Sequence, residues 1–190
     1  MYNICKWAKT DIEIKYHNDE WCRICHNEKK LFEMLILEGM QAGLSWKCIL
    51  NKRENMRKSF DNFDYKKISK YDDKKIYELL NNKGIIRNKR KIESLITNAK
   101  KFIEVQKEFG SFDKYIWTFT NGKQIDNQLK YDDNLPIKNE LSDIISKDLT
   151  KRGFKFVGSI IIYSYMQSIG IVNDHFVDCY FYNKTKEEYK

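Results

Sequence analysis

The sequence predicts an all-α fold, and three observations carry that reading. Apolar residues recur at helical spacing through most of the chain, and strand-like alternation is scarce. The 190 residues also contain a single proline, Pro136, and eight glycines, with no low-complexity linker and no internal repeat. Length and a hydrophobic content of 42% suit one folded unit, read here as a single domain over 1–190.

The first helix is expected over 28–42, where Leu31, Leu35, Glu38 and Ala42 fall on one stripe at about 100° per residue. Glu38 therefore shares its face with aliphatic side chains, while Lys29, Lys30 and Glu33 lie off the stripe. An ionised carboxylate in an apolar setting costs several kcal/mol, on the order of 3–5, unless something pairs with it. A second helix follows over 45–58 with Ser45 as its N-cap, and a third over 73–82. The fourth spans 89–105. The stretch 110–135 is turn-rich, with a short helix near Phe112–Phe119. The last two helices are expected over 139–151 and 159–169, the latter capped by Ser159. Gly84, Gly153 and Gly170 each stand where a left-handed residue ends a helix.

Lys and Arg number 35 against 27 Asp and Glu, a formal charge of +8. That balance favours an anionic partner, nucleic acid before anionic membrane. The abundance of Lys, Asn, Ile and Tyr is also what an A/T-rich coding sequence produces, which lowers the weight of the charge. The N-terminal stretch lacks the apolar run of a signal peptide, and no window reaches the roughly 20 apolar residues of a membrane span. A cytoplasmic location follows, in which the five cysteines are thiols or metal ligands rather than disulfides.

Cys5 and His17 near one end, with His175 and Cys179 near the other, make a donor set suited to one structural zinc that ties the termini together. His175 and Cys179 share a face if their turn is helical. The alternative is four unrelated residues. Cys22-Arg23-Ile24-Cys25-His26 is a literal C-x-x-C-H, the pattern of covalent haem attachment, which would require export. Incidental loop cysteines, or part of a redox-sensitive metal site, are the other readings. Cys48 reads as a small buried apolar residue.

Residues 73–103 form a helical hairpin with a basic flank. Gly84 permits the turn, and Arg87, Lys89, Arg90 and Lys91 open the next helix, whose free amides and dipole suit a phosphate. An ordinary αα-hairpin with a solvated basic face is the competing reading. Lys151, Arg152 and Lys155, interleaved with Phe154 and Phe156, form a second basic cluster.

Together these segments resemble the 3-methyladenine DNA glycosylase I (Tag) family. The matching blocks are Trp7 with YHNDEW (16–21), KKLFEMLILEGMQAGLSW (29–46), KRENMRKSF (52–60), GIIRNKRKI (84–92), KRGFKFVGS (151–159), and YSYMQSIGIVNDH (163–175) with Cys179. They span nearly the whole chain in the family's order. Two departures stand out: the Cys5–His17 spacing is one residue shorter, and Cys22-Arg23-Ile24 replaces the family's G-x-P after Trp21. The latter puts two thiols and His26 near the pocket entrance or the metal.

The resemblance implies a helix-hairpin-helix DNA glycosylase fold with one zinc on Cys5, His17, His175 and Cys179. It implies a monomer that acts on double-stranded DNA and flips out an adenine alkylated at N3. Glu38 is then the base-recognition carboxylate and candidate catalytic residue. Tyr16, Trp46, Trp7 and Trp21 supply aromatic faces, and Gln41 and Ser164 polar contacts. Gly43 and Leu44 form the tip that fills the vacated stack, and Gly84, Arg87, Lys89, Lys151, Arg152 and Lys155 meet the DNA backbone. With no catalytic Asp and no Schiff-base Lys, hydrolysis would rest on binding and strain and leave an abasic site. A non-catalytic, zinc-stapled helix-hairpin-helix DNA-binding module and a zinc-stapled interaction domain are the rival classes.

Overall fold

The computed structural model describes residues 3–131 and 133–186. Its helices are α1 (Asp11–Asp19), α2 (Glu28–Gln41), α3 (Trp46–Ser59), α4 (Tyr65–Ile68), α5 (Asp73–Asn81), α6 (Lys89–Phe109), α7 (Phe112–Thr118), α8 (Glu140–Lys151) and α9 (Ser159–Ser168). Two-residue strands β1 (Ile125–Asp126) and β2 (Val172–Asn173) pair in parallel. The all-α expectation holds, and each helix predicted from 28 onward is present.

The fold is organised around α2. Every residue from Lys30 to Met40 is buried, because α3, α6, α7 and α9 pack against this helix from different sides. Its aliphatic stripe meets aromatic rings: Phe32 stands 5.2 Å from Phe102, which stacks on Phe112 at 4.2 Å. Burial extends to residues off the apolar stripe: Lys30 and Glu33 join a cluster with Glu20 of the α1–α2 loop and Arg53 of α3. Arg53 donates through both terminal nitrogens to Glu20 (2.7 Å each) and through Nε to Glu33 (2.7 Å). Lys30 also pairs with Glu20, and Arg57 with Glu33. Burial opposes ionisation of Glu20, yet Arg53 and Lys30 hold its pKa down at about 2. The cluster locks α1, α2 and α3 together.

Several local expectations change. α1 has no counterpart in the predicted elements; the signal is Thr10 with Glu13, whose carboxylate accepts from the Thr10 amide (3.0 Å) and hydroxyl (2.7 Å). Ser45 caps α3 as expected, accepting from the Cys48 amide. Ser159 does not cap α9: Gly158 does, and the Ser159 hydroxyl lies 2.8 Å from that of Ser142. Gly153 and Gly170 adopt positive φ, but Gly84 does not. Crowding selects glycine at 84, where a Cβ would lie 3.0 Å from Asn82 Oδ1. At Gly170 both reasons apply, since a Cβ would come within 2.3 Å of the Arg23 carbonyl oxygen. Cys48 is half-buried rather than buried.

Candidate base pocket and metal centre

A pocket opens between the N-terminal segment, α1, α2, α3 and α9. Its walls are Trp7, Tyr16, Trp21, Glu38, Gln41, Trp46, Leu135, Ser164 and Gln167. All seven residues predicted to contact the base are therefore brought together. Tyr16 and Trp46 meet edge to face at 5.1 Å, and Trp7 meets Trp21 at 5.0 Å. The indole N–H groups of Trp7 and Trp46 are buried without a partner among the described residues. Such donors cost free energy until something accepts from them.

Glu38 is 4% exposed, and no protein group among the described residues donates to its carboxylate. Burial pushes its pKa up to about 8, a rise that the positive charge of Arg53 only partly offsets. Burial alone therefore holds Glu38 toward its neutral form at pH 7. A cation against it would restore the charged form, so the site selects for positive charge on the ring it receives. Burial and the nearby Glu38 also push the Tyr16 phenol well above its ordinary value, which keeps it a neutral hydrogen-bond partner.

The α2–α3 turn sits at the pocket rim. Gly43 takes φ 75°, and Leu44 is 41% exposed at the tip. Lys91, expected on the basic flank of the hairpin, is instead buried. Its ammonium donates to the Met40 and Ala42 carbonyls at 2.8 and 2.6 Å, capping α2 and fixing the turn from below. A second cavity lined by Glu38, Gln41, Gly43, Leu44, Ile160 and Ser164 links the rim to the pocket.

Behind Trp21 lies the quartet Cys5, His17, His175 and Cys179, all buried, with ligand atoms within 4.8 Å of one another. Cys5 Sγ is 3.6 Å from His175 Nδ1, and Cys179 Sγ is 3.4 Å from the same atom and 3.7 Å from His17 Nε2. A tetrahedral zinc with ordinary Zn–S and Zn–N lengths has S···N edges of about 3.5 Å. The second ring nitrogens also have partners: His17 Nδ1 lies 2.7 Å from Asn18 Oδ1, and His175 Nε2 lies 3.3 Å from the Trp21 carbonyl. The residues fit a metal. His175 and Cys179 lie on a turn rather than a helix, closed by the Cys179 amide on the Phe176 carbonyl.

Neither Cys22 nor Cys25 joins this quartet. Cys22 is buried and accepts from the Asp174 amide, while the Cys25 carbonyl accepts from Trp117 Nε1. His26 lies at neither the pocket nor the quartet: it pairs with Asp113 at 2.8 Å and packs against Trp117. Of the predicted backbone-binding residues, Arg87, Lys89, Lys151 and Lys155 are exposed. Lys155 lines a groove with Arg90, Ser94 and Thr97. Arg152 is committed elsewhere, to Asp148 and Glu108 at 2.7 Å each and to the faces of Phe109 and Tyr115. Gln167 and Leu135 line the pocket unforeseen. Gln167 follows Ser164 by three residues on α9, a spacing that places both on one face.

Fold and site define a helical protein with an aromatic pocket around a buried carboxylate, at the root of an exposed apolar tip. The chain belongs to the methyladenine glycosylase family, whose model matches residues 7–183. It is 43% identical to DNA-3-methyladenine glycosylase of Haemophilus influenzae (strain ATCC 51907 / DSM 11121 / KW20 / Rd), over 94% of this chain and 97% of that protein. It is 42% identical to DNA-3-methyladenine glycosylase 1 of Escherichia coli (strain K12), over 96% and 98%. The solved structure describing 3-methyladenine recognition by 3-methyladenine DNA glycosylase I from Staphylococcus aureus is 29% identical and superposes with a TM-score of 0.89, covering 96% of this chain and 95% of that one.

Proposed function

We propose that this chain is a DNA-3-methyladenine glycosylase, which flips the damaged nucleotide from double-stranded DNA and hydrolyses its N-glycosidic bond. The observation that carries this reading is Glu38, a buried carboxylate with no donor among the described residues, walled by Tyr16, Trp7, Trp21 and Trp46. Alkylation at N3 makes the purine ring cationic and a good leaving group. Aromatic faces attract that ring by roughly 0.5–2 kcal/mol each. Glu38 accepts from its N–H groups and balances its charge, Gln41 and Ser164 add polar contacts, and water is the final nucleophile. Leu44, presented by Gly43, fills the space that the base leaves. The α5–α6 hairpin acts as a helix-hairpin-helix element in which Gly84, Arg87 and Lys89 meet phosphates, with Lys151 and Lys155 alongside.

Cys5, His17, His175 and Cys179 would hold one zinc, whose role is structural: it fixes Trp21 and joins the terminal segments. The enzyme acts as a monomer, one domain over 1–190, in the cytoplasm; no helix among the described residues is long and apolar enough to cross a membrane. The test is base release from methylated duplex DNA. Release of 3-methyladenine, leaving uncut abasic sites and strongly reduced in Glu38→Gln, supports the reading. DNA binding without release would favour a non-catalytic module.

A further inference from the structure

We propose that Gln167 is a specificity residue of the base pocket, oriented by Asp174 so that it presents its carbonyl oxygen to the base. The inference rests on the reading of the pocket as a 3-methyladenine site. Asp174 is fully buried, and its carboxylate receives three donors: Asn127 Nδ2 at 2.6 Å, Tyr163 Oη at 2.9 Å and Gln167 Nε2 at 2.7 Å. A carboxylate in this position accepts only, so the amino end of the Gln167 amide must turn toward it. Burial and the adjacent Asp174 push the Tyr163 phenol well up, so it stays protonated and keeps donating to the same carboxylate.

Gln167 Oε1 is then left at the pocket wall, with no protein donor among the described residues. Among the described residues the fully buried side-chain polar atoms without a partner are the indole nitrogens of Trp7 and Trp46, so this oxygen is not sealed in the interior, and Gln167 itself lines the pocket. The backbone of Gln167 is held too, its carbonyl accepting from the Cys22 amide at 2.8 Å. Across the pocket from Glu38 on α2, α9 thus presents an acceptor whose orientation is dictated rather than free. Adenine offers an exocyclic amine to such an acceptor, while guanine offers an acceptor oxygen at the corresponding position. A fixed carbonyl at 167 thus favours 3-methyladenine and opposes 3-methylguanine.

The test is single-turnover release from methylated duplex DNA with 3-methyladenine and 3-methylguanine resolved, for the unaltered chain, Gln167→Leu and Asp174→Asn. Thermal melting and bound metal are followed in parallel. In Gln167→Leu, 3-methyladenine release is expected to fall about tenfold, the worth of one well-made hydrogen bond, with 3-methylguanine release unchanged or raised. Asn at 174 can meet either end of the amide, so discrimination falls there as well with metal retained. An unchanged ratio of the two bases in Gln167→Leu, or equal loss of both with a lowered melting temperature, overturns the proposal. A ratio lost in Gln167→Leu but kept in Asp174→Asn overturns the orienting role. If the unaltered chain releases neither base, it is the functional reading that fails.

Discussion

Replacing Glu38 by glutamine should stabilise the protein, and increasingly so as pH rises. The carboxyl has an ordinary pKa of 4.5 and is pushed to about 8 in the fold by burial. The unfolded chain therefore gives up its proton at lower pH than the folded chain, and folding stability falls as pH rises between those values. At 1.36 kcal/mol per pK unit, the burden is about 2 kcal/mol at pH 6, about 3 at pH 7 and close to 5 at pH 9. Glutamine keeps the shape and cannot ionise. The stability gap between Glu38→Gln and the unaltered chain should thus widen by about 2.5–3 kcal/mol from pH 6 to pH 9. Urea denaturation of both proteins at fixed ionic strength measures it. A gap that stays constant across this range would mean that Glu38 is not titrating in the folded pocket, and the electrostatic account of the site would fall.

Three further outcomes are expected. Cys179→Ser should lose stoichiometric metal, read by elemental analysis, and several kcal/mol of stability, whereas Cys22→Ser should keep its metal. Lys91→Met leaves the Met40 and Ala42 carbonyls without their donor, so a loss of about 1–3 kcal/mol in denaturant melts is expected. Duplex activity should fall further than binding of free 3-methyladenine, because the Gly43–Leu44 turn loosens. Leu44→Ala should slow excision from duplex DNA by about tenfold, since unstacking a base costs a few kcal/mol. It should leave free-base binding unchanged; an equal effect on both would place Leu44 in the pocket wall instead.

What the sequence made legible follows the range of the forces involved. The course of α2 and the anomaly of Glu38 were visible because apolar periodicity is a local property. α1 was not, because its nine residues are mostly polar and only Tyr16 and His17 turn fully inward; its Thr10–Glu13 signature was the one available sign. Lys30, Glu33 and Lys91 look like solvated charges in sequence, and only partners far along the chain explain their burial. Arg53 lies 20 residues from Glu33, and Lys91 lies 51 residues from the carbonyl of Met40. The metal quartet shows the same division, since His175 and Cys179 are close in sequence but meet Cys5 and His17 only through the fold. Gln167 was missed because an amide on a helix carries no chemical signal until Asp174 is found behind it.

The central claim is that Glu38 is the anionic wall of an aromatic pocket for a cationic purine. Titrating free 3-methyladenine while following tryptophan fluorescence tests it most directly, because Trp7, Trp21 and Trp46 all line the pocket. Saturable quenching in the unaltered chain, lost or weakened at least tenfold in Glu38→Gln, is the predicted result. Equal binding by both proteins, or none by either, would contradict it.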